Sequence, residues 1–441
     1  MTKPNRARRL QNLLLLTMIM VIVFGYLLHP EDVFYASLRG VGIWWEVVFP
    51  ATLPFLIVAE LAMGLGVPHF LGVFLQPWMK PLFRLPGMSS FVLTMGFASG
   101  YPMSAKLTVR MKERGYLTAA QAERLVAFTT TADPLFITAA VAVGFFQNAG
   151  LGTALLLTHY TSAIILGIIL AFMYRDASLE AEKRGGWHRN RDPYQGDRSM
   201  NILHRAYRAL DRARAEDGRP FGKLMADAVN SALLTTLMIG GLIIFFSVLM
   251  RIFELIGLIE GLSFLMQQAF ITFHLPLELI HPLIQGVFEV TLGEQAVAET
   301  GRAHTTLLHY ALASAILAWG GLSVHAQVAT ILSEAAIRYQ PFLMARLMHS
   351  ILAPTLFLMS WPWLRRLIDP PVSHPPLPDS SYPVWIPFSP MDTYGMSTSI
   401  ALHAKVVWFA LAALIFMAAL NYIIVSFWHM VRFFSHQKNL R

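Results

Sequence analysis

Two apolar stretches of this chain are interrupted in the same way, and an interrupted helix is the hardest thing to place in a bilayer. Ser99-Gly100-Tyr101-Pro102-Met103-Ser104-Ala105-Lys106-Leu107 is echoed by Gly320-Gly321-Leu322-Ser323-Val324-His325-Ala326-Gln327-Val328. Each sets glycine in apolar sequence and follows it with a polar side chain, Lys106 or Gln327. In hydrocarbon every backbone N–H and C=O must be satisfied internally, so such a break survives only where protein buries it or it lines a cavity. Broken segments at corresponding places in two halves point to the binding site of a transporter.

Composition carries the same message. Hydrophobic residues make up 55% of the chain and charged residues 14%, with a mean hydropathy of +0.52, far from the balance of a soluble domain. Pro134 to Tyr174 and Val229 to Met250 contain no Asp, Glu, Lys or Arg. A spanning helix needs about 20 apolar residues, so the first stretch predicts two spans turning near Gln147-Asn148-Ala149-Gly150 and the second predicts one. Cysteine is absent, which excludes disulfides, thiolate metal sites and thiol catalysis.

The net charge of +8 is distributed as a membrane protein distributes it, and no nucleic-acid partner is expected. Lys3, Arg6, Arg8 and Arg9 precede the apolar run Leu10 to Leu28, and eleven Lys or Arg fall within Arg175 to Arg219. Basic residues beside spans lie in the cytoplasm. Leu10 to Leu28 is long and lacks an A-x-A cleavage site, so it reads as an uncleaved anchor.

The expected fold is all-α, a polytopic membrane protein of about eight to ten spans in two related units with broken or re-entrant helices. The divisions are an N-terminal arm and anchor (1–40), a first membrane unit (41–174), a basic linker (175–222), a second unit (223–365), a Pro-rich loop (366–402) and a last span with a basic tail (403–441). If Leu85 to Ala105 crossed fully, Lys106, Arg110, Lys112 and Arg114 would lie outside. A hairpin that dips in and returns keeps them cytoplasmic. Thr118 is an N-cap candidate for a helix reaching Phe128, and Thr129 to Pro134 forms a second polar break. In the linker, Leu203, Ala206, Tyr207 and Leu210 recur at helical spacing, either on lipid headgroups or on the protein's own cytoplasmic face. Eight prolines between Pro370 and Pro390 preclude helix, and Val406 to His429 reads as a span. Arg365 and Arg366 place the Pro-rich loop inside, Arg432, Lys438 and Arg441 place the C-terminus inside, and one span cannot satisfy both. A second echo links Arg124-Leu125 and Ala132-x-x-Leu135-Phe136 with Arg346-Leu347 and Ala353-x-x-Leu356-Phe357. Whether the units are inverted or parallel stays open at this level.

Phe49-Pro50 through Phe55, Gly96-Phe97-x-Ser99-Gly100-Tyr101-Pro102-x-x-Ala105-Lys106, Ala132-Asp133-Pro134-Leu135-Phe136 and His159-Tyr160 resemble the family of YlbJ-type sporulation integral membrane proteins, also called stage V sporulation protein V. Gln285-Gly286-x-Phe288-Glu289-Val290-Thr291-x-Gly293 and the Gly320 motif fit the same family, over most of residues 40 to 365. The resemblance implies a nucleoside-recognition or Gate domain fold similar to concentrative nucleoside carriers. It also implies transport of dipicolinic acid across the outer forespore membrane during spore maturation.

Dipicolinate is a small aromatic dianion, so its carrier needs cations or N–H donors in an apolar site. Lys106 follows the first break, where a helix N-terminus after Pro102 offers oriented N–H groups; the alternative is that Lys106 snorkels to headgroups. Ser99, Gly100, Tyr101 and Ser104 would line the same break. Glu289, an ionisable group in apolar sequence, reads as a coupling-proton carrier, a partner of Lys106 or a structural carboxylate. Gly321, Ser323, His325 and Gln327 form the second break, where His325 and Gln327 are possible donors and His325 is alternatively a helix-contact residue. Asp133 reads as a helix cap. No H-E-x-x-H or G-x-S-x-G motif is present, so no enzyme is expected, and no cofactor is called for. A metal carrier using His304, His309 and His325 lacks a carboxylate cluster. An ion-coupled nucleoside carrier and a non-transporting sporulation scaffold are the remaining alternatives.

Overall fold

The computed structural model describes residues 6–174, 201–302 and 305–368, and the regular elements among them are all helical. The expectations for His304, the first part of the linker, the Pro-rich loop and the span Val406 to His429 fall outside these residues.

The chain starts with α1 (Arg6–Leu28) and, after His29, a helix made of α2 (Pro30–Gly42), a π-helical turn (Ile43–Val48) and α3 (Phe49–Gly64). Pro50 has no N–H for the carbonyl four residues back. The wider register takes up the mismatch, with the Phe49 N–H donating to the Trp44 carbonyl. This composite helix runs antiparallel to a second long helix, Phe221–Leu255. Arg251 Nη2 donates to Asp32 at 2.5 Å, Trp44 Nε1 to the Thr236 carbonyl at 3.0 Å and Ser231 Oγ to Glu60 at 2.8 Å. Those contacts define two ends of the molecule, an Arg251 end and, beyond Glu60, the opposite one.

At that opposite end lies α4 (Val67–Phe83), followed by α5 (Ser89–Ser99), Gly100 and α6 (Tyr101–Glu113). The segment α5–α6 is a re-entrant hairpin, as the charge distribution predicts. The Arg84 carbonyl before it accepts from Arg124 Nη2 at 3.0 Å, and Lys112 Nζ at its far side donates to the Ala335 carbonyl. Glu123 takes two bonds of 2.7 Å from Arg338 in the same layer. Both feet of the hairpin therefore stand at one end, here called the Arg84 end.

Next comes a broken helix. It consists of α7 (Ala119–Thr129), an irregular stretch at 130–133, and a π-helical segment (Phe136–Phe145). Thr118 and Gln121 close a reciprocal capping box at its start, at 3.2 and 2.9 Å. Asn148 then caps α8 (Ala149–Met173), accepting from the Leu151 N–H at 3.0 Å, so the expected turn near Gln147 to Gly150 is present.

The linker helix α9 (Ile202–Asp217) packs on α4, with Arg205 Nη2 donating to Gln76 at 2.8 Å and Ala206 fully buried. Within that stripe Ala206 packs on the protein's own face, while Leu203 and Tyr207 stay exposed. The second unit follows as α10 (Phe221–Leu255), α11 (Leu258–Thr272), α12 (Ile280–Phe288), Glu289 and α13 (Val290–Thr300). The pair α12–α13 folds back on itself at Gly286 and Gly293, whose backbones touch. Its entry is at the Arg251 end, where His281 sits 3.4 Å from Glu254. A second broken helix, α14 (Leu307–Trp319) and α15 (Gly321–Glu334), crosses from there to Ala335 beside Lys112, and α16 (Gln340–Ile368) returns. Five helices among the described residues are long and apolar enough to cross a membrane: 30–64, 149–173, 221–255, 307–334 and 340–365.

Element order revises the two sequence echoes. Gly100 turns a hairpin, whereas Gly320 and Gly321 interrupt a crossing helix. In order of elements, Glu289 stands where Gly100 stands, and the 130–133 break where Gly320 does. Likewise Arg124 lies on α7 and Arg346 on α16, which are unlike elements.

Candidate functional site at the meeting of four interrupted helices

The four interruptions converge. A Cβ added to Gly100 would lie 3.4 Å from Asp133, one added to Gly320 would lie 3.2 Å from the Tyr101 ring, and one added to Gly321 would lie 2.9 Å from the Val290 nitrogen. Tyr101 Oη donates to the Leu317 carbonyl at 2.7 Å, tying the first hairpin to the second broken helix. The Tyr160 hydroxyl, on α8, lies between the Phe97 carbonyl (2.8 Å) and the Ala132 carbonyl (3.0 Å), with its ring stacked on Phe97. Ser104 Oγ meets Thr130 Oγ1 at 2.8 Å, and Thr130 donates back to the Val126 carbonyl.

Each break juxtaposes the positive N-terminus of one helix with the negative C-terminus of another. Two N-termini hold their own carboxylates. Asp133 Oδ1 accepts from the Leu135 and Phe136 N–H groups at 3.1 and 2.8 Å, the capping role its sequence predicts. Glu289 Oε2 accepts from the Leu292 N–H at 2.8 Å, and its Oε1 from the Thr291 hydroxyl at 3.3 Å. The other two N-termini, of α6 after Gly100 and of α15 after Gly320, have no side-chain cap. At the C-terminal ends sits Arg346, fully buried on α16, whose Nη2 donates to the Ala127 carbonyl at 2.7 Å and Nη1 to the Ala318 carbonyl at 3.4 Å. Arg346 thus serves α7 and α14 together, where a cation is most favourable.

Of the residues singled out from sequence, Gly100, Tyr101, Ser104, Glu289, Gly321 and Ser323 lie buried in this convergence. The buried Ser99 Oγ has no hydrogen-bond partner, nor has Thr131 Oγ1. His325 is held to one side by Trp319, ring to ring at 4.0 Å, with Nδ1 2.6 Å from the Tyr339 hydroxyl and Nε2 3.2 Å from the Trp319 carbonyl. Gln327 donates to the Ser323 carbonyl of its own helix at 3.3 Å. Lys106 is placed differently. It is exposed, on the face of α6 away from the buried Tyr101, Ser104, Ala105, Thr108 and Val109, and so stands apart from Glu289.

Sequence reading gave no role to Arg346, Tyr160 or Glu294. An ionisable residue inside an apolar run was the available signal for Arg346 and Glu294; nothing local marks Tyr160, whose partners come from two other elements. A crevice of about 320 Å³ reaches the second hairpin from the Arg251 end, lined by Glu46, Arg251, Glu254, Gln285, Gln295 and Glu299 among others.

No protein-family model matches the chain. The protein of Bacillus subtilis named sporulation integral membrane protein YlbJ is 41% identical over 354 residues, covering 80% of this chain and 83% of that protein. The chain belongs to the YlbJ family of sporulation integral membrane proteins. Identity of that extent over most of both chains makes this YlbJ-family member an integral membrane protein of sporulation, and the apolar helices agree. In it, the capped and uncapped helix ends above gather Asp133, Glu289 and Arg346 about one place.

Proposed function

We propose that this protein is a transporter that moves dipicolinic acid, a small aromatic dicarboxylate, across the outer forespore membrane. The observation that carries the reading is the pair of uncapped helix N-termini, after Gly100 and Gly320, brought to one place beside a buried Arg346. Such ends present N–H donors to carboxylates in a site where water is scarce. Ser99, Gly100, Tyr101 and Ser104 line one side, and Glu289, Gly321 and Ser323 the other, with His325 and Gln327 behind and Lys106 at the outer mouth.

The two units relate as an inverted repeat of the Gate type. Supporting this, the first hairpin has its feet at the Arg84 end and the second enters at the Arg251 end. Each is followed by a broken helix and then an unbroken one. Alternating access about a fixed midplane site is the use such repeats have.

The test is uptake of labelled dipicolinate by liposomes holding the purified protein, with nucleosides, divalent metal ions and dipicolinate as competitors. Saturable uptake that only dipicolinate and related dicarboxylates suppress is expected. Folded protein that moves no dipicolinate overturns the reading, and suppression by nucleosides or metal ions replaces its substrate.

A further inference from the structure

Glu294 lies on α13, one turn and a half past the tip of the second hairpin, and it is fully buried. Neither of its carboxyl oxygens has a hydrogen-bond partner. Glu289, by contrast, is braced by an N–H and a hydroxyl. The charge of Glu289 acts on Glu294, and the Leu317 main chain lies beside its carboxyl without meeting hydrogen-bond geometry. An ionised carboxylate buried without a partner is far costlier than a protonated one, and a second carboxylate within reach adds repulsion.

Among the described residues, no cation acts on Glu294. From the first hairpin comes Tyr101, whose hydroxyl proton is already given to the Leu317 carbonyl. Arg346 acts on Tyr101 and is not among the charges that act on Glu294; its Nη2 and Nη1 donate to Ala127 and Ala318, and its Nε has no partner. On α12, the described titratable side chain is His281, at the Arg251 end with Glu254. On α14 they are His309, at the helix start beside Thr306, and Tyr310, packed among Phe146, Phe357 and Trp361. The π-helical segment 136–145 contributes none. On α10 the groups nearest that end, Arg251 and Glu254, pair with Asp32 and His281.

We propose that Glu294 is the proton-carrying group of this protein: protonated while the second hairpin is closed on Gly321, it releases its proton to water when that hairpin opens. The inference rests on the transport reading for its consequence, that substrate movement is coupled to protons. Its first part, the protonated acid, does not depend on any substrate. Gly321 is the contact that couples the two, because its Cα approaches the backbone of Phe288, Glu289 and Val290 at the tip. A movement of the tip away from Gly321 carries α13 with it and wets Glu294.

The experiment has two readouts. In infrared spectra of the lipid-embedded protein at neutral pH, the stretch of a protonated carboxyl is expected in the wild type and lost in Glu294→Gln, while Glu289→Gln keeps it. In proteoliposomes, wild-type uptake of dipicolinate is expected to rise with a pH gradient. Glu294→Gln should keep exchange of internal for external dipicolinate but lose the response to the gradient, and Glu294→Asp should regain it with a displaced pH profile. A spectrum unchanged by Glu294→Gln overturns the assignment, as does gradient-driven uptake by that variant or uptake that follows sodium and ignores pH. A wild type that shows the band and moves no dipicolinate supports the protonated Glu294 and overturns the transport reading alone.

Discussion

Arg346 Nη2, on the second unit's unbroken helix, lies 2.7 Å from the Ala127 carbonyl at the end of the first unit's α7. The second terminal nitrogen reaches Ala318 on α14. A lone guanidinium buried in a membrane protein is costly. Here its charge faces the negative ends of two helix dipoles, and carbonyls left open by the breaks gain donors. The breaks and the arginine are therefore mutually dependent.

That dependence predicts the outcome of removing the guanidinium. Arg346→Leu leaves two buried carbonyls without their donors, at about 1–3 kcal/mol each. The melting temperature of the purified protein in detergent should fall steeply, and Arg346→Lys should fall less because one bond remains within reach. Equal stability of wild type and Arg346→Leu would show that the helix ends are closed by other means.

Gly321 and Gly241 make a matched pair of alanine substitutions. Gly321 has φ +77° and has backbone atoms of the second hairpin 2.9–3.1 Å from where a Cβ would sit. Gly321→Ala combines strain of about 1–3 kcal/mol with displacement of the tip, so stability and function should both drop. Gly241, exposed on α10, has nothing within 4 Å, and its alanine should be neutral or stabilising by up to about 1 kcal/mol. Thermal melts of the two variants side by side check this, and an intact Gly321→Ala would remove the tip contact from the account.

The chain has no cysteine, so single cysteines report sidedness without background. Arg84→Cys and Lys112→Cys should react with an impermeant maleimide from one side of the membrane, and His281→Cys and Arg302→Cys from the other. Labelling of positions 84 and 112 from opposite sides would turn the first hairpin into a crossing helix.

Much of this architecture was legible because hydrocarbon leaves few options. The charge-free runs marked two of the five long apolar helices, 149–173 and 221–255, although the first half of Pro134 to Tyr174 forms only the ten-residue segment Phe136–Phe145, and the clustering of Lys106, Arg110, Lys112 and Arg114 predicted the hairpin. Thr118 and Asp133 announced their caps through local chemistry. The two glycine motifs, by contrast, did not mark matching elements. The likeness of the Gly100 and Gly321 motifs reflects a shared need for backbone freedom at a break, and it joins a hairpin turn to a crossing helix. Lys106 was assigned by its distance along the chain from Gly100, which does not determine the face of α6 it occupies. Arg346 and Tyr160 act on carbonyls of other elements, and such pairings exist only in three dimensions.

Acid should loosen the junction between α9 and α10. Arg219 donates to Asp217 at 2.6 and 3.0 Å and to Asp227 at 2.8 Å, and these bonds hold the Asp217 carboxyl below the usual carboxylate range. A carboxyl lowered in the folded state adds stability above its unfolded pKa, and that stability is lost as pH falls through the folded value. The contribution is therefore complete at neutral pH and declines below about pH 4. Amide exchange of residues 214–227, corrected for intrinsic rates, should accelerate there in the wild type. Arg219→Gln should abolish the difference, and an unchanged acid response in that variant would assign it to another group.

On the proposed transport of a dianion, Lys106 separates attraction of substrate from its binding. Its ammonium is exposed on α6, away from the uncapped helix end, so it would act on an approaching dianion through water, where attraction is long-ranged but screened by salt over about 8–10 Å. A charge in that position raises the local concentration of an anion without stabilising it once bound. Lys106→Ala should thus raise the KM for dipicolinate several-fold at low ionic strength, leave kcat near wild type, and match the wild type in high salt. Lys106→Arg should behave as wild type throughout. A loss of kcat in Lys106→Ala that persists in high salt would mean that the side chain swings into the break during transport, and would move it from the mouth to the binding site.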